Sequence, residues 1–260
     1  MFPLSDPDLK RCRRPIVNVL IIVLAAGIFG YQVAIGEIGR LVLFYQYGLI
    51  PAEIARGIEF GRLILPQGTF DITTPFPTWF NLFSSMFLHA DWLHFGVNML
   101  FLWVFGDNIE DRLGHVKYLL FYLAAGVAAA FLQVAVNPDS EIPMIGASGA
   151  IAGVLGAYFL LHPFSRVRTL LIIIIIPFLV RIPAVLLLGF WFFIQFVSGV
   201  GTLVPSQELE GGVAYWAHIG GFVFGIVTIV VYKLVTREKI WPGRRDGGGT
   251  GMPPVQRDFP

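Results

Sequence analysis

The sequence predicts an all-α polytopic membrane protein, a bundle of six transmembrane helices. Three observations carry that prediction. Of the 260 residues, 56% are hydrophobic and only 13% are charged, whereas soluble domains average about 25% charged residues. Such a chain lacks the polar surface to face water. Measured against the roughly 20 apolar residues needed to cross the hydrocarbon core, it offers six apolar stretches. Lysine and arginine then gather in alternate connections between those stretches, as cytoplasmic segments do.

The first stretch, 15–36, follows Lys10, Arg11, Arg13 and Arg14. A basic segment before an apolar run also resembles a cleaved signal peptide, but losing this span would leave an odd count that contradicts the charge pattern. The longest connection, about 37–91, has only Arg40, Arg56 and Arg62 as cations. Its amphipathic patches at 41–45 and 50–60 read as interfacial helices on the outer surface. The second stretch, 92–106, is short, and Arg112 and Lys117 separate it from the third, 116–136. The connection 137–146 carries no Lys or Arg. The fourth stretch, 147–162, is again short; short spans suit a thinned bilayer or shielding by neighbours, and fit a site that water reaches. Arg166, Arg168 and Arg181 lie between the fourth and fifth. The fifth stretch, 170–200, is too long for one span and is interrupted by Pro177, Arg181 and Pro183. It reads as an Ile-rich interfacial segment, 170–180, followed by a span over 184–200. The connection 201–212 lacks cations, and the sixth stretch, 213–235, leads into Lys233, Arg237, Lys239, Arg244 and Arg245.

This distribution puts both termini in the cytoplasm. Residues 1–14 are expected to be a cytoplasmic N-terminal segment, 15–236 the six-span membrane domain, and 237–260 a disordered Gly- and Pro-rich tail. The expected location is the cell (inner or plasma) membrane.

Composition also narrows function. Cys12 is the single cysteine, so no internal disulfide or cysteine metal cluster forms, and a net charge of +1 gives no reason to expect nucleic acid. No internal repeat is apparent, which weakens an inverted-repeat transporter. No Asp or Glu lies inside a span, against a proton-coupled carrier or an intramembrane aspartyl protease, and there is no His-Glu-x-x-His zinc motif. Polar groups in a bilayer are costly and mark function; the candidates are Ser148, His218, His94, Asn98 and, at a span edge, His89.

Ser148 follows Gly146 and Ala147 and precedes Gly149 and Ala150, at the start of the fourth span. There it would stand in a first helical turn, whose free N–H groups can face a developing anion; a plain N-cap serine is the alternative. His218 opens the sixth span, either as a base or as a structural donor to a neighbouring carbonyl. Gly149 and Gly153 are four apart, as are Gly221 and Gly225, and small residues at that spacing let membrane helices approach closely. If these faces meet each other rather than other partners, Ser148 and His218 come together as a nucleophile and base. His94 and Asn98 share one helical face and suit either an oxyanion hole or helix bridging. A zinc site from His89, His94 and His218 lacks a recognisable ligand spacing.

These residues resemble the rhomboid family of intramembrane serine proteases. The likeness covers about 79–235 and rests on three motifs in order: His89 with His94-x-x-x-Asn98, Gly146-x-Ser148-Gly149, and Ala217-His218-x-Gly220-Gly221 with Gly225. Glu110, Arg112 and Gly114 resemble a polar turn of the family. The resemblance implies a rhomboid-type six-span bundle that cleaves transmembrane segments of other membrane proteins. It implies Ser148 as nucleophile, His218 as general base, and His94, Asn98 and the Ser148 N–H as oxyanion hole, with no cofactor or metal. The runner-up is a rhomboid-like protein that binds membrane clients without cleaving them. Two positions depart from the family pattern. Trp79 is followed by Phe80 rather than Arg, and Ala152 stands where many members place an aromatic against the histidine. The missing ring is expected to leave space beside His218, so that Ala152→Tyr would fold normally.

Overall fold

A computed structural model describes residues 1–9, 12–203 and 213–241. Lys10, Arg11, most of the 201–212 connection and the 242–260 part of the expected tail lie outside the described residues. The chain begins with β1 (Phe2–Ser5), α1 (Ile16–Ala34), α2 (Gly36–Tyr47) and α3 (Pro51–Arg56). The hairpin β2 (Arg62–Leu65) and β3 (Gly68–Asp71) follows, then a short helix α4 (Asn81–Ser84). α5 (Trp92–Phe101) passes through a π-helical turn at Leu102–Gly106 into α6 (Asp107–Leu113). After α7 (His115–Val136) and α8 (Ser148–Leu161), a second hairpin, β4 (Arg166–Ile173) and β5 (Ile176–Pro183), leads to α9 (Ala184–Gly201) and α10 (Tyr215–Val235).

α1, α7, α9 and α10 are each long and apolar enough to cross a membrane. α8 is shorter, with 14 residues, and lies enclosed among the other helices. Residues 150–158 are all buried, so the helix is walled by protein and is apolar all round, as a central helix must be. The walls come close because the contact residues are small. A Cβ on Gly221 would strike the Gly149 carbonyl, one on Gly225 the Gly153 carbonyl, and one on Gly156 the Phe222 carbonyl. On its other side, α8 sets Gly149 and Gly153 against Ala129 and Ala125 of α7.

The π-helical turn has a visible cause. Asn18 of α1 donates from Nδ2 to the Leu102 carbonyl at 3.0 Å and accepts from the Tyr118 hydroxyl at 2.7 Å. A Cβ at Gly106 would collide with both side chains. One turn further on, the Glu110 carboxylate accepts from the Val17 and Asn18 N–H groups at 2.9 and 2.7 Å. It thereby caps the first turn of α1, whose amides lack helical acceptors. His115 Nδ1 lies 2.5 Å from the same carboxylate, and Arg112 pairs with Glu238. The polar turn after α5 thus ties α1 to the end of the bundle where the chain starts.

Among the described residues the bundle carries two small sheets that hydropathy did not predict. β4 and β5 pair antiparallel over their whole length, and β1 adds to β4 to give the order β1-β4-β5. The segment expected to be merely interfacial at 170–180 is therefore the distal part of a hairpin, its loop and the adjoining residues of both strands. In the 37–91 connection, the patches at 41–45 and 50–60 fall in α2 and in α3 with the residues after it. Leu49 and Met144 exchange backbone hydrogen bonds of 3.0 and 2.7 Å, and the Ala52 N–H donates to the Ser140 carbonyl at 3.0 Å. The long connection thereby holds the 140–146 segment that leads into Ser148.

Candidate active site

Ser148 is the first residue of α8, with Ala147 at the N-cap. Its Oγ makes no capping bond; it lies 2.8 Å from His218 Nε2. Two local features aim it. Gly146, at φ 118°, takes a conformation that only glycine adopts readily, and its N–H donates to the Ser85 carbonyl at 2.8 Å. The close glycine contact of α8 with α10 then brings Ala217 and His218 alongside the first turn of α8.

His218 is buried, and its second nitrogen is also engaged. Nδ1–H donates to Gln195 Oε1 of α9 at 2.7 Å, which leaves Nε2 as the acceptor facing the serine hydroxyl. The Trp191 ring, one turn before Gln195, stands 5.8 Å from the imidazole centroid at a tilt of 38°. Trp191 in turn meets Phe222, and Phe222 stacks on Phe192 at 4.7 Å. Gln133 of α7 accepts from the Ala217 N–H at 3.3 Å, steadying the residue before the histidine.

His94 stands in the first turn of α5, beyond an Asp91 N-cap whose carboxylate accepts from the His94 N–H at 2.8 Å. Its Nδ1 accepts from the Ala90 N–H at 3.4 Å, so Nε2 carries the proton and points past Gly146. A Cβ on Gly146 would sit 2.6 Å from that Nε2, so only glycine lets the ring approach. Asn98 donates one amide hydrogen to the His94 carbonyl at 2.8 Å and keeps a second. Ser148, His218, His94 and Asn98 line one cavity of about 980 Å³, bounded also by Trp191, Gln133 and Met144.

His89 is placed differently. It is buried against the Phe29, Phe95 and His94 rings and does not line the cavity. Burial, aided by nearby His94, lowers its pKa to about 4, so it is neutral at physiological pH. Gln32 of α1 fixes its backbone, accepting from its N–H at 3.2 Å and donating to its carbonyl at 3.0 Å.

Gln195 and Trp191 were not among the residues singled out from sequence. Gln195 did leave a signal, as an amide in the middle of an apolar span, where polar side chains usually find a partner on another helix. Trp191 corrects the expectation of spare volume at Ala152. Ala152 is fully buried, and a Cβ on Gly221 would lie 3.2 Å from its own Cβ. The aromatic neighbour of His218 is supplied by α9 instead of α8. Two further aromatic rings of α10 stand apart from this contact: Phe222 backs Trp191, and Trp216 faces Gly199.

A helical membrane protein with a serine–histidine pair opening on a polar-edged cavity is the class that fold and site define. The chain belongs to the rhomboid family: residues 77–234 match the family's Rhomboid domain. It is 28% identical to the mitochondrial Rhomboid protein 1 of Saccharomyces cerevisiae over 152 residues, 56% of this chain and 40% of that protein. It is 30% identical to the chloroplastic Rhomboid-like protein 11 of Arabidopsis thaliana over 155 residues, 59% of this chain and 52% of that one. With Rhomboid protease GluP of Bacillus subtilis the identity is 31% over 150 residues, 56% of this chain and 25% of the relative. The matched region spans between a quarter and about half of these relatives.

Proposed function

We propose that the protein is an intramembrane serine protease that cleaves peptide bonds in or near transmembrane helices of other membrane proteins. The 2.8 Å contact between Ser148 Oγ and His218 Nε2 carries the reading, because a hydroxyl becomes a nucleophile when a base within hydrogen-bond reach takes its proton. Ser148 Oγ attacks the scissile carbonyl carbon as its proton passes to Nε2. The resulting oxyanion is held by the Ser148 N–H, His94 Nε2–H and the second Asn98 amide hydrogen. Each such donor is worth about 100 to 1,000-fold in turnover. His218 then protonates the leaving amine as the C–N bond breaks. Water, deprotonated by Nε2, hydrolyses the acyl-serine and restores the hydroxyl.

A helical substrate has its backbone groups already bonded, so it must unwind locally before its carbonyl can reach Ser148. Substrates with Gly, Pro or small residues near the outer face are the preferred class. The spans in this reading are α1, α5 with its π-helical turn, α7, α8, α9 and α10. Both termini are cytoplasmic, the cavity opens toward the outer face, and the host is the cell (inner or plasma) membrane. The cation distribution supports that orientation.

An active-site fluorophosphonate tests the chemistry. Labelling of the wild type that disappears in Ser148→Ala is expected. A folded wild type that takes no label would favour the runner-up, a rhomboid-like protein that binds membrane clients without cleaving them.

A further inference from the structure

β4 and β5 turn through a two-residue loop, Ile174 and Ile175, closed by the Ile173–Ile176 pair. Ile174 has φ 60°, a left-handed conformation rare for β-branched residues and normally given to Gly or Asn in hairpin loops. Ile174 and Ile175 are 92% and 84% exposed, and every residue from 172 to 179 is exposed. β5 is the free edge of the sheet. In water, an apolar tip on an open edge is an aggregation site.

The base of the hairpin has the opposite character. Val167 and Thr169 are fully buried, so the alternate residues Arg166 and Arg168 share the outward face. Arg181 pairs directly with Arg168 across the ladder and lies on that same face. Like charges directly opposed destabilise a sheet, and among the described residues no carboxylate forms an ion pair with any of the three. Asp6 and Asp8 on the adjoining N-terminal segment are engaged elsewhere. Asp6 accepts from Ser165 and Tyr158, and Asp8 from the Arg166 backbone N–H.

We propose that this hairpin is a lipid anchor. Its isoleucine tip inserts at the headgroup–acyl boundary of the leaflet where α8 ends and α9 begins, and Arg166, Arg168 and Arg181 bind the phosphates of anionic lipids there. Apolar tip and basic base match the two layers of such a leaflet in order. The strand passes directly into α9, from Pro183 to Ala184, so the hairpin is tethered at the membrane already. The open β5 edge limits the depth, because its unpaired backbone groups require water or headgroups. A second copy of the chain is a poor occupant, since it would set the same three arginines against these.

The test uses a Cys12→Ser protein, which removes the single native cysteine, with Ile174→Cys or Leu179→Cys carrying an environment-sensitive NBD fluorophore. Both sites are exposed, so the label leaves the packing intact. The protein is reconstituted in phosphatidylcholine vesicles with or without phosphatidylglycerol. Blue-shifted emission, quenching by nitroxide lipids and protection from aqueous iodide are expected at both positions. Phosphatidylglycerol should strengthen the shift, and Arg168→Gln with Arg181→Gln should abolish that strengthening while the melting temperature holds. Iodide quenching at both positions would overturn the anchor. So would protection from iodide and nitroxide lipids together, the pattern of a protein partner. A lipid-buried tip indifferent to phosphatidylglycerol would overturn the headgroup contact. None of these readouts depends on proteolysis.

Discussion

His218 Nδ1 and Gln195 Oε1 stand 2.7 Å apart, joining α10 to α9 behind the serine–histidine pair. The amide oxygen accepts one imidazole proton and thereby fixes the tautomer whose other nitrogen is free to receive the Ser148 proton. A neutral amide does this without placing a carboxylate in the span, where an ionised group is costly. Gln195 thus acts through His218, as a positioning residue.

Gln195→Met, similar in length but without the acceptor, is expected to lower kcat while leaving KM and the melting temperature near wild type. A net hydrogen bond of about 1 kcal/mol corresponds to roughly a fivefold loss. Gln195→Asn, which keeps the amide but withdraws it, should fall between the two if distance matters. A Gln195→Met enzyme with unchanged kcat would show that packing alone orients the ring.

Ser148→Ala and His218→Ala should each abolish cleavage and leave thermal unfolding unchanged, because nucleophile and base act as one unit. The double variant should lose little beyond either single one. Clear residual cleavage by a single variant, read on a reconstituted transmembrane substrate, would break the pairing.

Asn98→Ala separates oxyanion binding from helix bridging. Loss of one donor predicts a drop in kcat of about 100 to 1,000-fold with KM little changed. His94→Ala should fall at least as far, since its ring also packs on His89. An early-melting variant with normal turnover would assign both residues to structure.

The N-terminal strand should loosen as pH rises. Burial raises the Asp6 pKa above its ordinary value of 3.8, opposed by the hydrogen bond from Ser165. A carboxyl whose folded pKa is raised contributes its stability below the unfolded pKa and loses it as pH climbs through the folded one. Hydrogen exchange at residues 2–5, corrected for intrinsic rate, should therefore show protection that declines upward from about pH 4. Asp6→Asn should flatten the profile. A flat wild-type profile would mean that the β1–β4 pairing alone holds the segment.

The helical spans were legible because a bilayer imposes length and apolarity on each one, and the observed α1, α7, α9 and α10 lie within about two residues of the expected ends of those spans. Two of the three motifs were legible because each combined a polar side chain with glycines at helical spacing, and the third because His94 and Asn98 share one helical face. The β4–β5 hairpin was not. Its strands carry apolar residues on both faces beyond position 170, so no period of two appears, and its loop lacks the Asn or Gly that marks a turn. Gln195, like Asn98 an uncharged amide in an apolar stretch, escaped because its partner His218 lies on a different helix and only the tertiary packing brings the two together. Trp191 escaped because aromatic support was sought at one position on α8, and tertiary packing supplied it from another helix.

Ala152 provides the sharpest test of that packing. Its side chain is sealed between helices, with the backbone of Gly221 close beside it, and the His218 imidazole already has an aromatic neighbour in the Trp191 ring at 5.8 Å. Ala152→Tyr is therefore expected to overpack the α8–α10 contact, costing about 1 to 3 kcal/mol and lowering the melting temperature in detergent or bilayer. Trp191→Ala should do the reverse: the protein stays folded, but kcat falls because the imidazole loses the ring that restricts it. Trp191→Phe, which keeps a ring against both His218 and Phe222, should recover most of the activity. If Ala152→Tyr instead melts like the wild type and cleaves as well, space must exist beside His218 that the glycine contacts deny. The assignment of ring support to Trp191 would then fail, whatever the outcome at the serine.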